Sequence, residues 1–285
     1  MADHTYILTI SCPDRVGIVA AVSSFLAEHQ GWICEAQHHS DPISGMFFMR
    51  QEILAESLPF GIKVFQERFA PIAEEFQMHW KIVDSAVRKR VVILVSKQGH
   101  CLSDILHRWE SGEYKIDIPC IISNHKKMCD KAEWYNLPYH HVDMTGSDKT
   151  AAFSRISQLC RDANADVIVL ARFMQILPPE MCDEFAGNII NIHHSFLPSF
   201  VGAKPYHQAY SRGVKLTGAT CHYVTSELDA GPIIEQEVAR VSHSHSIGEL
   251  IRRGRDVETI TLARGLRYHL EDRVLVHGNK TVVFA

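Results

Sequence analysis

The run Val91-Val-Ile-Leu-Val-Ser96 decides the fold class, because its first five residues are all apolar and do not alternate with polar ones. A continuous apolar strand of this kind suits a parallel sheet that is covered on both faces. Similar runs follow further along the chain, at 118–123, 166–172 and 188–193. Helical stretches alternate with them, at about 101–111, 148–163 and 179–186. The alternation predicts a doubly wound, mostly parallel α/β sheet.

The rest of this part of the chain extends the predicted sheet. Two runs, 215–225 and 232–241, are separated only by a short loop, which predicts an antiparallel pair at one edge. A long helix is predicted over 247–270 and a closing hairpin over 273–284, with Gly278 and Asn279 at its turn. We therefore assign residues 91–285 to one α/β domain.

A smaller domain is predicted over residues 1–84. Strand and helix signals follow the order βαββαβ there, at about 5–10, 14–31, 32–39, 45–54, 61–78 and 79–83. This is the order of a ferredoxin-like fold. Pro71 lies inside the second helix, where a kink or break is expected. The charged segment 85–90 is taken as the linker.

The composition argues against several classes of function. The chain has 285 residues, a net charge of −4 and 46% hydrophobic residues, so it offers no basic surface for nucleic acid. No apolar run approaches the ~18 residues that span a membrane, and the N-terminus lacks the pattern of a signal peptide. Eight cysteines are scattered without a C-x-x-C pair, which predicts free thiols in the cytoplasm.

Polar residues at the end of the run 188–193 form the first candidate site. Asn191 and His193 are two residues apart on a predicted strand, so their side chains project from one face. An amide beside an imidazolium can hold an oxygen that gains negative charge in a tetrahedral intermediate. Asp229 lies in a glycine-bounded loop that could fold back toward them, where a carboxylate can position a water and accept its proton.

Two other interpretations remain open at this point. The pair His193-His194 suggests a metal, but neighbouring strand residues point to opposite faces and cannot share one ion without a bend. The H-E-x-x-H and H-x-E…C-x-x-C patterns are also absent, and we expect no bound metal. In the second interpretation, His193 is only a hydrogen-bonded residue at a strand end and Asp229 only a turn residue.

Three motifs resemble those of the formyltransferase family that uses 10-formyltetrahydrofolate, and they occur along the chain in the same order as in that family. They are Asn191-Ile-His-His-Ser-Phe-Leu-Pro198, His222-Tyr-Val-Thr-Ser-Glu-Leu-Asp229-Ala-Gly231-Pro-Ile233 and the run 171–180 that reads ARFMQILPPE. The resemblance covers about residues 90–285. It implies that Asn191, His193 and Asp229 are catalytic. His194 departs from the family pattern, since many members have proline there.

The same resemblance implies a folate site and a supporting histidine. The backbone of 174–177 would contact the pterin ring, with the loop 224–228 on its other side, and His222 would support that loop. The implied folate-binding residues are Met174, Gln175, Ile176, Leu177, Gly202, Val224, Glu227 and Leu228. The folate is a substrate in this interpretation, and no separate cofactor is expected.

The N-terminal part resembles an ACT domain. The match is the stretch 11–33, SCPDRVGIVAAVSSFLAEHQGWI, which contains the D-R-x-G-I-V entry to the first helix of that family. The resemblance implies a regulatory or oligomerising domain, a homo-oligomer and an amino-acid effector such as glycine or methionine. The implied effector-binding residues are Asp14, Arg15, Val16 and Gly17 at a helix start, which is also a generic site for anions.

The first strand-to-helix turn bears on the choice of acceptor. It reads Ser96-Lys-Gln-Gly-His-Cys101, without the glycine-rich pattern that holds a phosphate in the family's glycinamide ribonucleotide formyltransferases. An ACT domain followed by a formyltransferase-like domain resembles the domain order of the family's deformylases. The resemblance thus implies hydrolysis of 10-formyltetrahydrofolate to formate and tetrahydrofolate. The alternatives are formyl transfer to a small amine and a non-catalytic sensor of folate or amino acids.

Overall fold

A computed structural model describes residues 4–146, 148–198 and 205–285. The chain divides into two compact units. Unit 1 comprises Met1–Val87, Tyr268–His277 and Thr281–Ala285, and unit 2 comprises Arg88–Arg267 and Gly278–Lys280. This division differs from the predicted one at the C-terminus, where most of the closing hairpin groups with the N-terminal part. Across the described ranges, no helix is both long and apolar enough to cross a membrane.

Unit 1 contains a four-stranded antiparallel sheet in the order β2-β3-β1-β4. Its elements are β1 (Thr5–Pro13), α1 (Ile18–Glu28), β2 (Ile33–Asp41), β3 (Met46–Leu54), a 3₁₀ turn (Ala55–Ser57), α2 (Ile62–Glu75) and β4 (His79–Asp84). The predicted βαββαβ order is therefore confirmed. Of the kink or break expected at Pro71, the break is wrong, because α2 continues through this residue, and the kink stays a prediction. Glu67, whose carbonyl loses its helical donor there, is exposed and can bond water.

One face of this sheet packs against the two helices. Alternate residues of β1, Leu8 and Ile10, are fully buried there with Phe25 of α1 and with Phe65 and Phe69 of α2. The Phe25 ring meets the other two rings edge-on at 5.2 and 5.3 Å, an arrangement that aromatic pairs favour. Period-two alternation in β1 thus supplies the core of unit 1.

The other face of the sheet carries a fully buried arginine. Arg50 of β3 donates to the carboxylates of Glu35 (3.0 Å) and Glu52 (2.5 Å). It also donates to the backbone carbonyls of Glu271 (2.9 Å) and Asp272 (3.2 Å), just beyond the last helix of the chain. Carbonyls at a helix C-terminus have partial negative charge, so a guanidinium is a favourable partner for them. Arg50 therefore attaches the C-terminal segment to the sheet of unit 1.

Unit 2 contains a larger sheet in the order β12-β11-β10-β9-β5-β7-β8, with β6 also paired to β5. Strands β5, β7, β8, β9 and β10 run parallel, and β11 and β12 are antiparallel at one edge. The strands are β5 (Lys89–Val95), β6 (Ile116–Asp117), β7 (Ile121–Ser123), β8 (Tyr139–His141), β9 (Val167–Ala171), β10 (Ile189–His193), β11 (Leu216–Tyr223) and β12 (Ile233–Arg240). The predicted doubly wound sheet is confirmed.

The helices of unit 2 lie between these strands in sequence. They are α3 (His100–Glu110), a 3₁₀ turn (Lys126–Met128), α4 (Cys129–Trp134), α5 (Thr150–Asp162), α6 (Pro179–Glu184), α7 (Pro205–Ser211) and α8 (Ile247–Leu270), and the hairpin β13 (Val274–His277) and β14 (Lys280–Val283) follows. Sequence patterns missed α4, β8 and α7, each of seven residues or fewer. Elements so short contain too few repeats to show a period.

We expect Arg50→Met to destabilise unit 1 by about 3–5 kcal/mol. The change leaves the half-buried Glu52 and the carbonyls of Glu271 and Asp272 without their cation, and Glu35 keeps only Arg273. Urea unfolding measured by circular dichroism checks this value. The control is Arg68→Met. The guanidinium of Arg68 lies 4.6 Å from the centre of the Phe60 ring, and a cation–π contact of this kind stabilises a protein by about 0.5–1 kcal/mol. A loss for Arg50→Met no larger than that of the control would contradict the prediction.

Candidate active site

The candidate site is built on β10, which lies between β9 and β11 in the sheet. Asn191 and His193 project from one face of β10, as their spacing predicted, while Ile190 and Ile192 point to the other face and are buried. Asn191 is directly opposite His222 of β11 in the antiparallel register. The strand pairing therefore brings an amide and two imidazoles together on one face of the sheet.

His222 holds the amide of Asn191. Its Nδ1 lies 2.8 Å from the carbonyl oxygen of Tyr223 and must carry the hydrogen, since a carbonyl only accepts. Its Nε2 is then the acceptor for Nδ2 of Asn191 at 3.1 Å. Burial lowers the pKa of His222, which favours this neutral form. Asn191 keeps a second amide hydrogen for another acceptor.

Asp229 reaches this face from the loop after β11. The loop turns sharply: Asp229 has φ +53°, and a Cβ on Gly231 would lie 1.9 Å from the carbonyl oxygen of Tyr223. Oδ2 of Asp229 lies 3.2 Å from Nδ1 of His193, and Oδ1 lies 3.8 Å from Nε2 of His222. The predicted return of this loop brings the third residue of the set into contact.

The electrostatics of the site keep Asp229 ionised. Burial raises the pKa of its carboxyl, but the hydrogen bond and charge of His193 outweigh burial and lower it below the usual value. Nε2 of His193 is buried and has no hydrogen-bond partner among the described residues. An imidazole fixed through Nδ1, with Nε2 unused, suits a donor whose acceptor arrives with a ligand.

Two loops beside this face contain the residues that the resemblance assigned to folate. Leu177, after β9, is buried in an apolar cluster with Leu170 and Phe173, and Val224, after β11, packs against the same cluster. Three apolar side chains of these loops are exposed, namely Met174 at 55%, Ile176 at 67% and Leu228 at 50%. The two loops therefore meet at one apolar cluster and present uncovered apolar surface.

The remaining residues that the resemblance assigned to folate are Gln175, Glu227 and Gly202. Gln175 is half-buried and accepts a hydrogen bond from Nζ of Lys149 at 2.7 Å, and Glu227 is exposed. Gly202 lies outside the described residues, so its place in the site stays a prediction.

The predicted effector residues lie in unit 1, between β1 and α1. Arg15 donates to the carbonyl of Glu75, and its guanidinium lies 4.1 Å from the centre of the Phe76 ring. Asp14 accepts a hydrogen bond from Ser40, and Val16 is fully exposed. Gly17 precedes α1 with φ +103°, a conformation that favours glycine.

A buried charged cluster escaped the sequence patterns. Glu258 of α8 has no exposed surface, and its carboxylate contacts His100, Arg172 and Tyr206. The sequence did contain a signal for Glu258, because its spacing places it in the buried stripe of α8. This stripe includes Leu250, Gly254, Val257, Thr261 and Leu262. A charge on the apolar face of a helix indicates a partner inside the fold.

Comparison with known proteins gives consistent matches. Residues 89–266 match the family model for formyl transferase. A formyltetrahydrofolate deformylase of Synechocystis is 45% identical, with 100% of both chains covered. The crystal structure of a formyltetrahydrofolate deformylase from Pseudomonas syringae is 64% identical with a TM-score of 0.97, covering 99% of this chain and 95% of that one.

A glycinamide ribonucleotide transformylase 1 from Symbiobacterium toebii also matches, at 27% identity and a TM-score of 0.66. This match covers 70% of the present chain and 95% of the transformylase chain. The deformylase structure, by contrast, is similar over nearly the whole chain.

Asp229→Asn is expected to lower the melting temperature at pH 7. The difference in melting temperature between the variant and the unchanged protein should become smaller as the pH falls to about 3.5. The pKa of Asp229 is lower in the fold than that of an ordinary aspartic acid, so the unfolded chain binds more protons in this window. The stability that the carboxylate contributes is therefore complete well above pH 4 and lost as the pH falls through the native pKa. Asp183→Asn, at an exposed position of α6, is the matched control. A constant gap for Asp229→Asn would contradict the prediction.

Proposed function

Because the chain belongs to the formyltetrahydrofolate deformylases, within the formyl transferase family, we propose that its reaction runs at Asn191, His193 and Asp229. The reaction is the hydrolysis of 10-formyltetrahydrofolate to formate and tetrahydrofolate. The observation that carries this assignment of residues is the cluster itself, in which His193 and Asp229 are in contact and His222 orients Asn191.

Asp229 is proposed to activate the water. Its Oδ2 is engaged by His193, while Oδ1 is too far from His222 for a hydrogen bond and remains available to a water molecule. The water oxygen attacks the formyl carbon, and its proton passes to Asp229. The lowered pKa keeps the carboxylate of Asp229 ionised at neutral pH, so that it can accept the proton of the water.

His193 and Asn191 are proposed to stabilise the oxyanion that forms. The buried Nε2 of a protonated His193 and the second amide hydrogen of Asn191 both belong to side chains on the same face of β10. When the intermediate collapses, the bond between the formyl carbon and N10 breaks. N10 takes the proton through the Asp229–His193 pair, and formate leaves. His222 acts through Asn191 as a positioning residue and does not react.

The folate is proposed to bind between the loops 172–178 and 224–228. Support comes from the exposed apolar side chains of Met174, Ile176 and Leu228, which a flat ring system would cover. Backbone groups of 174–177 would hydrogen-bond the pterin, with Gln175, Leu177, Val224, Glu227 and Gly202 completing the set. No separate cofactor enters this scheme.

The deciding experiment measures formate release from 10-formyltetrahydrofolate in the absence of any amine. Hydrolysis predicts turnover under these conditions, whereas a requirement for an added amine such as glycinamide ribonucleotide would refute it. Binding of the folate without turnover would instead support a sensor.

In the same assay, Asn191→Ala and His193→Ala should each lower turnover by about 10²–10³-fold, the usual cost of losing one oxyanion donor. Asp229→Asn should be inactive, because an amide cannot accept the proton. Asn188→Ala, at an exposed position beside the same strand, is the matched control and should keep full turnover. Wild-type turnover in Asp229→Asn, with folate binding intact, would refute the mechanism.

Unit 1 is proposed to act as an ACT-type regulatory and oligomerising domain. The exposed Val16 and the start of α1 at Gly17 support binding of a small amino acid near Asp14 and Arg15. The edge strand β2, with Trp32 before it 67% exposed, supports pairing with a second copy. A cytoplasmic location is proposed from the eight cysteines, all of which are free.

Calorimetry with glycine and with methionine tests the effector proposal. We expect one of them to release or absorb heat and to change the rate of formate release, and Gly17→Val should abolish both effects because valine is strained at φ +103°. No heat and no change in rate with either amino acid would remove the effector. Sedimentation of the full chain measures the copy number of the oligomer.

A further inference from the structure

The side chains of the candidate site form two rows across neighbouring strands. Asn191 of β10 and His222 of β11 form the first row, since they are directly opposite each other in the register. The second row crosses three strands, because His193 of β10 pairs with Thr220 of β11, and Thr220 pairs with Gln236 of β12. Directly opposite residues of an antiparallel pair project from one face. Thr220 and Gln236 therefore lie on the face that contains the catalytic candidates.

The turn 195–197 follows β10 and is held by Thr220. The last pair of the β10–β11 ladder is His193 with Thr220, so the backbone beyond it needs other partners. The N–H of Leu197 donates to Oγ1 of Thr220 at 3.0 Å, and this hydroxyl donates to the carbonyl oxygen of Ser195 at 2.9 Å. All three of these residues are buried. A single hydroxyl thus closes the turn that follows the catalytic strand.

Gln236 of the edge strand supplies the remaining contacts of this turn. Its Nε2 lies 3.0 Å from the carbonyl oxygen of Leu197 and 3.0 Å from Oγ1 of Thr220. A carbonyl only accepts, so the atom that faces it is the amide nitrogen, and both amide hydrogens are used. Thr220 then donates one hydrogen bond and accepts two, which is the full capacity of a hydroxyl.

The saturated hydroxyl has a consequence for the imidazole beside it. Thr220 is directly opposite His193, whose buried Nε2 has no hydrogen-bond partner among the described residues. Cβ atoms of directly opposite residues are about 4.5–5.5 Å apart, so the two side chains are neighbours. Because Leu197 and Gln236 occupy both lone pairs of Thr220, its hydroxyl has none left to accept the hydrogen of a protonated His193. That hydrogen remains available to the substrate.

The turn is also packed onto β11 at a second point. A Cβ added to Gly218 would lie 3.3 Å from side-chain carbons of Phe196 and 2.6 Å from the carbonyl oxygen of Glu237. The absence of a side chain at Gly218 therefore leaves room for Phe196, the middle residue of the turn. Since this contact does not involve Gln236, loss of the amide should loosen the turn without releasing it.

We propose that Gln236 is a positioning residue, which acts through Thr220 and the turn 195–197 to hold His193 in its catalytic orientation. The proposal rests on the catalytic roles proposed above. The backbone at the end of β10 places the ring of His193, whose Nδ1 lies 3.2 Å from Oδ2 of Asp229. A shift of about 1 Å in a catalytic group can cost about 10²-fold in rate. Gln236 prevents such a shift by fixing the segment that leaves the strand.

Gln236→Met tests the proposal, because it keeps the length of the side chain and removes both donors. Turnover in formate release should fall by about 10–100-fold. Calorimetry with tetrahydrofolate should show unchanged affinity, because the side-chain hydrogen bonds of Gln236 reach neither of the proposed folate loops. The matched control is Glu237→Met on the same strand, whose carboxylate bonds the exposed Arg264 at 2.7 Å. This control should keep full turnover.

A double variant tests whether the effect passes through Thr220. Thr220→Val removes the hydroxyl and keeps the shape of the side chain, and it should lower turnover at least as much as Gln236→Met. Adding Gln236→Met to Thr220→Val should cause no further loss, because residues that act through one network are not additive.

Proton NMR distinguishes positioning from a general loss of structure. The Nδ1 hydrogen of protonated His193, bonded to Asp229, should give a low-field signal that Asp229→Asn abolishes. This signal should move or broaden in Gln236→Met and stay unchanged in Glu237→Met. The measurement does not depend on turnover, so failure of the proposed hydrolysis and failure of this proposal are separable.

Full turnover in a folded Gln236→Met overturns the proposal. A loss of turnover with an unchanged His193 signal also overturns it, as do losses that add in the double variant. If Gln236→Met does not fold, Gln236→Glu replaces it, because an ionised carboxylate has nearly the same shape and no hydrogen to donate. The same losses are expected, and full turnover in Gln236→Glu would equally overturn the proposal.

Discussion

The pairing of β10 with a parallel strand on one side and an antiparallel strand on the other is the constraint on which the active site depends. The parallel partner β9 places the loop 172–178 beside the end of β10. The antiparallel partner β11 places His222 opposite Asn191, and the loop that follows returns Asp229 to His193. A shift of one residue in either register would move Asn191 and His193 to the opposite face, since strand side chains alternate.

Two carboxylates of unit 2, the half-buried Asp229 and the fully buried Glu258, are held ionised by different means. Asp229 is stabilised by imidazoles, and one of its oxygens remains available for a water molecule. Glu258 accepts hydrogen bonds from an imidazole and a phenol, forms an ion pair with a guanidinium, and has no exposed surface. A carboxylate with spare acceptor capacity suits proton transfer, whereas a fully engaged one suits a fixed counter-ion.

In unit 1, a buried charge with partners from the same chain has a structural role. Arg50 is fully buried, and it is compensated by two carboxylates and two carbonyls at the end of α8. The apolar residues Phe48, Leu275 and Phe284 cluster on the same face of the sheet. Together they explain why the C-terminal residues group with unit 1, although the sequence order suggested that they continue the α/β domain.

The sequence by itself determined the fold class, the order of the long elements and the catalytic candidates. Apolar runs without alternation predicted the parallel strands, and two-residue spacing put Asn191 and His193 on one face. Short elements such as α4 and α7 escaped, because they span too few residues for a period. Only the tertiary structure decided which ring nitrogen of His222 carries the hydrogen, how Asp229 meets His193, and that Glu258 is buried beside Arg172. The contacts of His193 with Asp229 and of Arg172 with Glu258 join residues that are far apart in sequence, and no local pattern encodes such distances.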